Sequence, residues 1–391
     1  MTPAARLQAA IEVLDEVIAA ARDNGPPADT IVTHYFKQRR YAGSKDRRAV
    51  RELVFRAVRR TAERPKSGRS AALGLAEDEP ELLTLFGQTR GPEPLNDSDE
   101  AAAAAYVPDW LRREVAPVVS EHEWPALLDR APLDLRVNVS RASRDELLDQ
   151  FQGGTPTALS PWGIRLPADT RIDLHPAFQA GLVEVQDEGS QLIVLACEPA
   201  DKEQILDLCA GAGGKTLALA AAAPAAIILA TDSNRKRLTQ MIARRERAHA
   251  AVQERLLNPP RELDELADWR GKADLVLVDA PCSGSGTWRR NPEGRWRLTP
   301  ERLSNLVEAQ QRLLGIAAEL VKPGGRLVYA VCSLLSREGS GQIDRFLEGR
   351  SSWISEETPI AAGRSEGRGR LLTPAHDRTD GFFIARLRRA C

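Results

Sequence analysis

Two cysteines stand where a thiol could do chemistry. Asp279-Ala280-Pro281-Cys282-Ser283-Gly284-Ser285-Gly286 follows the unbroken apolar run Leu275–Val278, and Tyr329-Ala330-Val331-Cys332-Ser333 closes a second run, Arg326–Ala330. A thiolate is a strong nucleophile, and a small-residue turn at a strand end leaves it reachable. The other thiols lack that setting. Cys197 reads as a small buried hydrophobe, Cys391 is incidental at the C-terminus, and Cys209 falls inside a glycine-rich loop. No C-x-x-C pair occurs and the five histidines are scattered. Neither a disulfide framework nor a metal site is expected.

The glycine-rich loop is Asp207-Leu208-Cys209-Ala210-Gly211-Ala212-Gly213-Gly214-Lys215-Thr216. Glycines let a backbone approach a ligand closely, and a helix opening here would offer free N–H groups. A P-loop would need its first glycine at Cys209, and a dinucleotide fingerprint starting at Gly211 and Gly213 meets Thr216 where its third glycine belongs. A methyltransferase loop needs less: a glycine-rich turn, and an acid ending the next strand to hold ribose hydroxyls. Asp232 stands there, directly after Ala226–Thr231. The competing reading is a tight strand-to-helix turn that binds nothing.

Elements that could position these residues alternate from Gln204 onward. Strands are expected at Ile205–Leu208, Ala226–Thr231, Leu275–Val278 and Arg326–Ala330, with helices at Thr216–Ala223, Arg235–Ala250 and Leu303–Val321. That alternation implies an α/β, Rossmann-like, mostly parallel sheet covered by helices, with ligands at the strands' carboxyl ends. Before it, Leu133–Val139, Arg144–Phe151, Gly163–Leu166 and Leu182–Gln186 suggest a small α+β module. Residues 1 to about 125 read as helical, with a helix over Arg47–Arg60. Three parts are therefore expected: an all-helical N-terminal domain over 1–130, the module over 131–180, and the catalytic sheet over 181–391.

Formal net charge is −1, so any nucleic-acid surface must be local. Two local clusters qualify. One joins Arg39, Arg40 and Lys45 to Arg47, Arg48, Arg51, Arg56, Arg59 and Arg60; it is either a solvated helix face or a phosphate-contacting surface. The other interleaves Arg289, Arg290, Arg295 and Arg297 with Trp288 and Trp296, a pattern suited to phosphate contacts and base stacking. Arg235–Arg247 reads as a solvated helix face. No apolar run is long enough to span a bilayer and no secretory leader is evident, so a cytoplasmic protein without membrane partners is expected.

Taken in order, these motifs resemble the RsmB/Sun-type RNA cytosine-5 methyltransferases. That family carries D-A-P-C-S-G-x-G, then T-C-S on the next strand, and D-x-C-A-A-P-G-G-K-T, matched by Asp207–Thr216 with Gly211-Ala212 in place of Ala-Pro. Gln186-Asp187-Glu188-Gly189-Ser190-Gln191, Arg289-Arg290-Asn291-Pro292-Glu293 and Asp380-Gly381-Phe382-Phe383 fit as well. The resemblance is densest over 180–391. Gly43-Ser44-Lys45-Asp46-Arg47-Arg48 looks like the helical, NusB-like RNA-binding extension of bacterial members.

The resemblance implies S-adenosylmethionine-dependent methylation of carbon 5 of a cytosine in RNA. Cys332 then corresponds to the nucleophile and Cys282 to the residue that assists release, with Asp279 beside the base. The cofactor residues carried over are Cys209, Ala210, Gly211, Ala212, Gly213, Gly214, Lys215, Asp232 and Arg237, with Asn258 where the family has an acid near the adenine, and with Asp279 at the edge of the site. Ribosomal RNA of the small subunit is the expected substrate and transfer RNA the runner-up. An RNA-binding assembly factor without activity is the alternative. Val331 replaces a threonine, and the family's Glu-Asn-Glu becomes Glu338-Gly339-Ser340, which touches the expected substrate-loop contacts.

Overall fold

The computed structural model describes residues 1–391, which gather into two compact units. One comprises Met1–Glu114, Ser120–Asp129 and Thr287–Pro300; the other comprises Val115–Val119, Arg130–Gly286 and Glu301–Cys391. The first difference from the three-part expectation lies here. Residues 287–300 belong to the helical unit although the chain reaches them from the sheet, and the α+β module shares a unit with that sheet.

The helical unit is built on α1 (Pro3–Arg22), α2 (Ala28–Gln38), α3 (Ser44–Arg60) and α4 (Gly68–Asp78). Thr2 caps α1 through its hydroxyl, with Pro3 at the first helical position. Leu7, Ile11, Leu14 and Val17 return every third or fourth residue and are all buried. α3 buries Val50, Val54, Ala57 and Val58 against the same core. At the start of α4 only glycine fits, because a Cβ on Gly68 would lie 2.2 Å from the carbonyl oxygen of Ile11.

Segment 287–300 completes this core, which corrects the reading of its arginines and tryptophans as an RNA-facing strip. Trp288, Trp296 and Arg295 are 1%, 2% and 1% exposed, so they present no surface to a nucleic acid. Their partners give the reason. The last carbonyls of a helix have no partners within it; Arg295 donates to those of Val58 at 2.5 Å and Arg59 at 3.1 Å, and Trp296 Nε1 donates to Thr61 just beyond, at 2.8 Å. Arg297 donates to the carbonyls of Gly25 and Pro26 in the turn between α1 and α2, and Glu293 accepts from the Ala28 N–H that opens α2. The strip caps helices.

The second unit holds two sheets. β1 (Leu133–Val137), β2 (Thr155–Pro156), β3 (Gly163–Leu166) and β4 (Val183–Val185) form an antiparallel sheet in the order β2-β3-β1-β4. The larger sheet contains β5 (Gln204–Asp207), β6 (Ile227–Asp232), β7 (Gln253–Leu256), β8 (Ala273–Asp279) and β9 (Val321–Val331), parallel in the order β7-β6-β5-β8-β9. It continues through β10 (Trp353–Glu356), β11 (Arg364–Glu366), β12 (Gly369–Leu372) and β13 (Phe382–Arg389), where β13 lies antiparallel beside β9. β8 is covered on both faces, and Leu275, Val276, Leu277 and Val278 are fully buried, as an unbroken apolar run in a central parallel strand requires. The α/β class expected from the sequence is the one observed.

Candidate active site

Parallel order brings the carboxyl ends of β6, β5, β8 and β9 side by side, and every catalytic or cofactor candidate from the sequence except Asn258 sits at or just past those four ends. The two thiols come together: Cys282 Sγ and Cys332 Sγ are 3.3 Å apart, and both residues are partly exposed. β8 and β9 are hydrogen-bonded neighbours, so thiols just past their ends face each other across one strand spacing. Cys282 is pushed well above the ordinary thiol range by its hydrogen bond to Cys332, by burial, and by the negative charges that Cys332 and Glu338 can carry.

Next to the thiols, Lys215 Nζ donates to Asp279 Oδ2 at 2.7 Å. Burial works to lower the pKa of the Lys215 ammonium, but Asp279, Cys332 and Asp207 together hold it raised. The Phe382 ring lies 5.6 Å from Nζ, which gives the terminal Asp-Gly-Phe-Phe motif a place at the site. Gly381 N donates to Gly286 O at 2.7 Å, and a Cβ on Gly286 would meet Gly381 O at 2.0 Å. Two glycines let β13 close against the Cys282 loop.

One residue that the motifs did not assign organises both cysteine loops. Glu338 is completely buried and accepts from Ser283 N at 2.8 Å, Ser283 Oγ at 2.5 Å, Ser333 Oγ at 2.6 Å and Gln310 Nε2 at 2.9 Å. Gln310 also donates to the carbonyl of Pro281, so the residues on either side of Cys282 are both fixed. The altered residues that follow are accounted for by packing. A Cβ on Gly339 would meet the Phe383 ring at 2.8 Å, and Ser340 donates to Glu366.

The glycine-rich loop leads from β5 into the helix Gly214–Ala222. Gly211 and Gly213 have φ of 58° and 83°, the left-handed region that suits glycine, and a Cβ on Gly213 would meet Met241 at 2.4 Å. Asp232 closes β6; its Oδ2 accepts from Gly211 N at 2.8 Å and its Oδ1 from Asn234 N at 2.7 Å. Each carboxylate oxygen has capacity for a further donor, such as a ribose hydroxyl. Asp207 Oδ1 is buried without a partner, and burial pushes the Asp207 carboxyl up to about 7. Cys209 is raised well above the usual thiol range by burial, which leaves it an unreactive wall of the loop. Arg237 lies 3.8 Å from Asp232 and against Gly211.

Asn258 is placed differently. It follows β7 and is exposed, and both its backbone N–H and its side-chain amide donate to Glu265 at 2.8 Å. The helix Arg235–Ala248 is also more than a solvated face. Arg244 donates to the carbonyl of Ala212 in the loop at 2.8 Å and to Glu184 at 2.9 Å, and Glu184 takes Arg247 as well. Glu184 is on β4, so the small sheet braces the glycine-rich loop through one arginine.

Residues 194–388 match the family described as 16S rRNA methyltransferase RsmB/F. The Ribosomal RNA small subunit methyltransferase B of Xylella fastidiosa is 35% identical over 288 residues, 72% of this chain and 68% of that protein. The chain belongs to the RsmB/F family. The enzyme of the same name from Salmonella arizonae is 34% identical over 304 residues, 75% of this chain and 68% of that one. Among solved structures, a methyltransferase homolog protein from Pyrococcus horikoshii superposes with a TM-score of 0.59 at 26% identity, covering 68% of this chain and 89% of that one. NSun6 from the same organism superposes with a TM-score of 0.62 at 20% identity, which speaks to fold alone. This RsmB/F member is an RNA methyltransferase with S-adenosylmethionine as methyl donor. The glycine turn and the Asp232 carboxylate at its mouth fit that nucleoside.

Proposed function

We propose that this chain methylates carbon 5 of a cytosine in small-subunit ribosomal RNA through a covalent bond from Cys332 to the base. The observation that carries the reading is the pair of thiols 3.3 Å apart at adjacent strand ends, beside the Lys215–Asp279 pair. Carbon 5 of cytosine is a poor nucleophile on its own. As the Cys332 thiolate forms a bond to carbon 6, the carbon 5–carbon 6 electron pair is released and carbon 5 becomes nucleophilic. S-adenosylmethionine supplies an electrophilic methyl group to that carbon.

Negative charge develops along the nitrogen 3 edge as sulfur adds. Asp279 can hydrogen-bond the base near that edge, and the Lys215 ammonium paired with it supplies a counter-charge there. A base then takes the carbon 5 proton, the double bond re-forms, and Cys332 leaves as the thiolate. Cys282, kept protonated by its surroundings and 3.3 Å from Cys332, would assist that release by donating its S–H to the departing thiolate. A stacked base cannot be attacked at carbon 6, so the target cytosine is single-stranded or flipped out.

Cys332→Ala is expected to abolish transfer of a labelled methyl group to RNA from a strain lacking this gene. Cys282→Ala is expected to accumulate an RNA–protein adduct that survives denaturing electrophoresis. Trapping by Cys332→Ala instead would reverse the two roles, and no transfer by the unaltered protein would sink the reading. Bisulfite sequencing of small-subunit ribosomal RNA from the two strains locates the base.

A further inference from the structure

Most of the basic cluster around α3 is spent inside the helical unit. Arg39 pairs with Glu12, Arg51 with Asp29, Arg56 with Glu79, and Arg60 with Glu77 and Asp78, while Arg47 and Arg59 donate to the carbonyls of Ala42 and Leu128. Four cations at the turn between α2 and α3 are different. Lys37, Arg40, Lys45 and Arg48 are exposed and engage no carboxylate. Tyr41 lies between them in the chain, 76% exposed. An aromatic ring left in water among unpaired cations gains nothing for folding.

Local electrostatics sharpen the contrast. Lys45 and Arg48 are three residues apart and share a face of α3 in its first turns, where the helix dipole is positive and a cation is disfavoured. No side chain caps this end. Its one first-turn acid, Asp46, is neutralised by the Met1 ammonium at 3.0 Å and by Arg6 at 2.8 Å. Glu52, one turn beyond Arg48, makes no ion pair with it. Like charges are thus gathered where folding disfavours them, which suits a polyanion that arrives from outside.

We propose that this turn is an RNA landing site that takes a single-stranded segment, with Tyr41 stacking on an unpaired base and the four cations contacting the flanking phosphates. The proposal rests on the RNA substrate argued above and adds where on the helical unit the strand is held. Stacking on an exposed ring with cations along the backbone is how sequence-tolerant single-strand binding works.

The test uses the full chain and a fluorescein-labelled, mixed-sequence single-stranded RNA of about twenty nucleotides, with anisotropy read over a salt series. Lys45→Ala with Arg48→Ala should reduce the slope of log affinity against log salt by about 1.4, two contacts at about 0.7 each. Tyr41→Ala should weaken single-strand binding by about tenfold, within the range for one stacked base, and Tyr41→Trp should restore it. The same RNA annealed into a duplex should be insensitive to Tyr41→Ala. All the altered side chains are exposed, so unchanged melting temperatures check the fold. Unchanged affinity and salt slope in both variants would overturn the proposal. A reduced slope with no effect of Tyr41→Ala would overturn the stacking half and leave a bare polyanion surface. If the unaltered protein neither binds nor methylates RNA, the substrate reading itself fails, a different outcome from variants that bind like the parent.

Discussion

Glu338 shows how much a single residue does at the cysteine pair. A fully buried carboxylate is costly to desolvate and is tolerated only when hydrogen bonds repay it; here four donors converge on it, from both cysteine loops and from the helix Pro300–Leu320. Removing it leaves the donors of Ser283, Ser333 and Gln310 facing one another in a buried space. Glu338→Ala should therefore lower stability by about 3 kcal/mol in denaturant titration. Methyl transfer should fall at least about a hundredfold, since displacing reacting groups by about an ångström has that effect. Glu338→Gln keeps the shape but puts an N–H against a donor, and should lie between Ala and the parent in both measurements. A Gln variant as active as the parent would show that position, and not the negative charge, is what the loops need.

At the scale of elements, the strand ends were legible in the sequence and the supports behind them were not. Leu275–Val278 reads as a strand because a central parallel strand buries both faces, and the Cys282 turn follows directly. β13 is not among the strands expected from the sequence: Phe382–Arg389 ends in three basic residues of four, and its partners on β9 lie 52 to 62 residues earlier in the chain. Trp288 and Arg295 are buried where their pattern predicts exposure, because aromatic–cation alternation has the same spelling on a nucleic-acid surface and in a helix cap. The spacing of the arginines in the helix Arg235–Ala248 predicts a solvated face, yet Arg244 joins Glu184 of the small sheet to Ala212 of the loop. No local pattern reports a partner 60 residues away. Arg244→Met should keep the fold, loosen the loop and weaken S-adenosylmethionine binding by about tenfold in calorimetry, the size of one charge-assisted hydrogen bond. Unchanged affinity would mean the glycine turn holds its shape without the brace.

Across the whole molecule, the order of residues and the order of folding units do not coincide. A sequence reader places a boundary near residue 130, where helical texture gives way to strands. The helical unit nevertheless draws Thr287–Pro300 into itself, with Trp296 in its hydrophobic core and Arg295 on the open carbonyls of α3. Losing a large core aromatic costs about 3–5 kcal/mol. Losing the buried arginine as well leaves helix-end carbonyls unpaired, at about 1–3 kcal/mol each when no water replaces the partner. Against a stability of about 5–15 kcal/mol for an ordinary domain, that sum is decisive. A fragment of residues 1–129 should therefore melt without a cooperative transition in circular dichroism and give poorly dispersed amide resonances. The same fragment with residues 287–300 joined through a flexible linker should recover a sharp transition. If 1–129 alone melts cooperatively with the joined fragment's midpoint, the inserted segment rests on a core that is already complete, and its buried tryptophan and arginine contribute contact without stability.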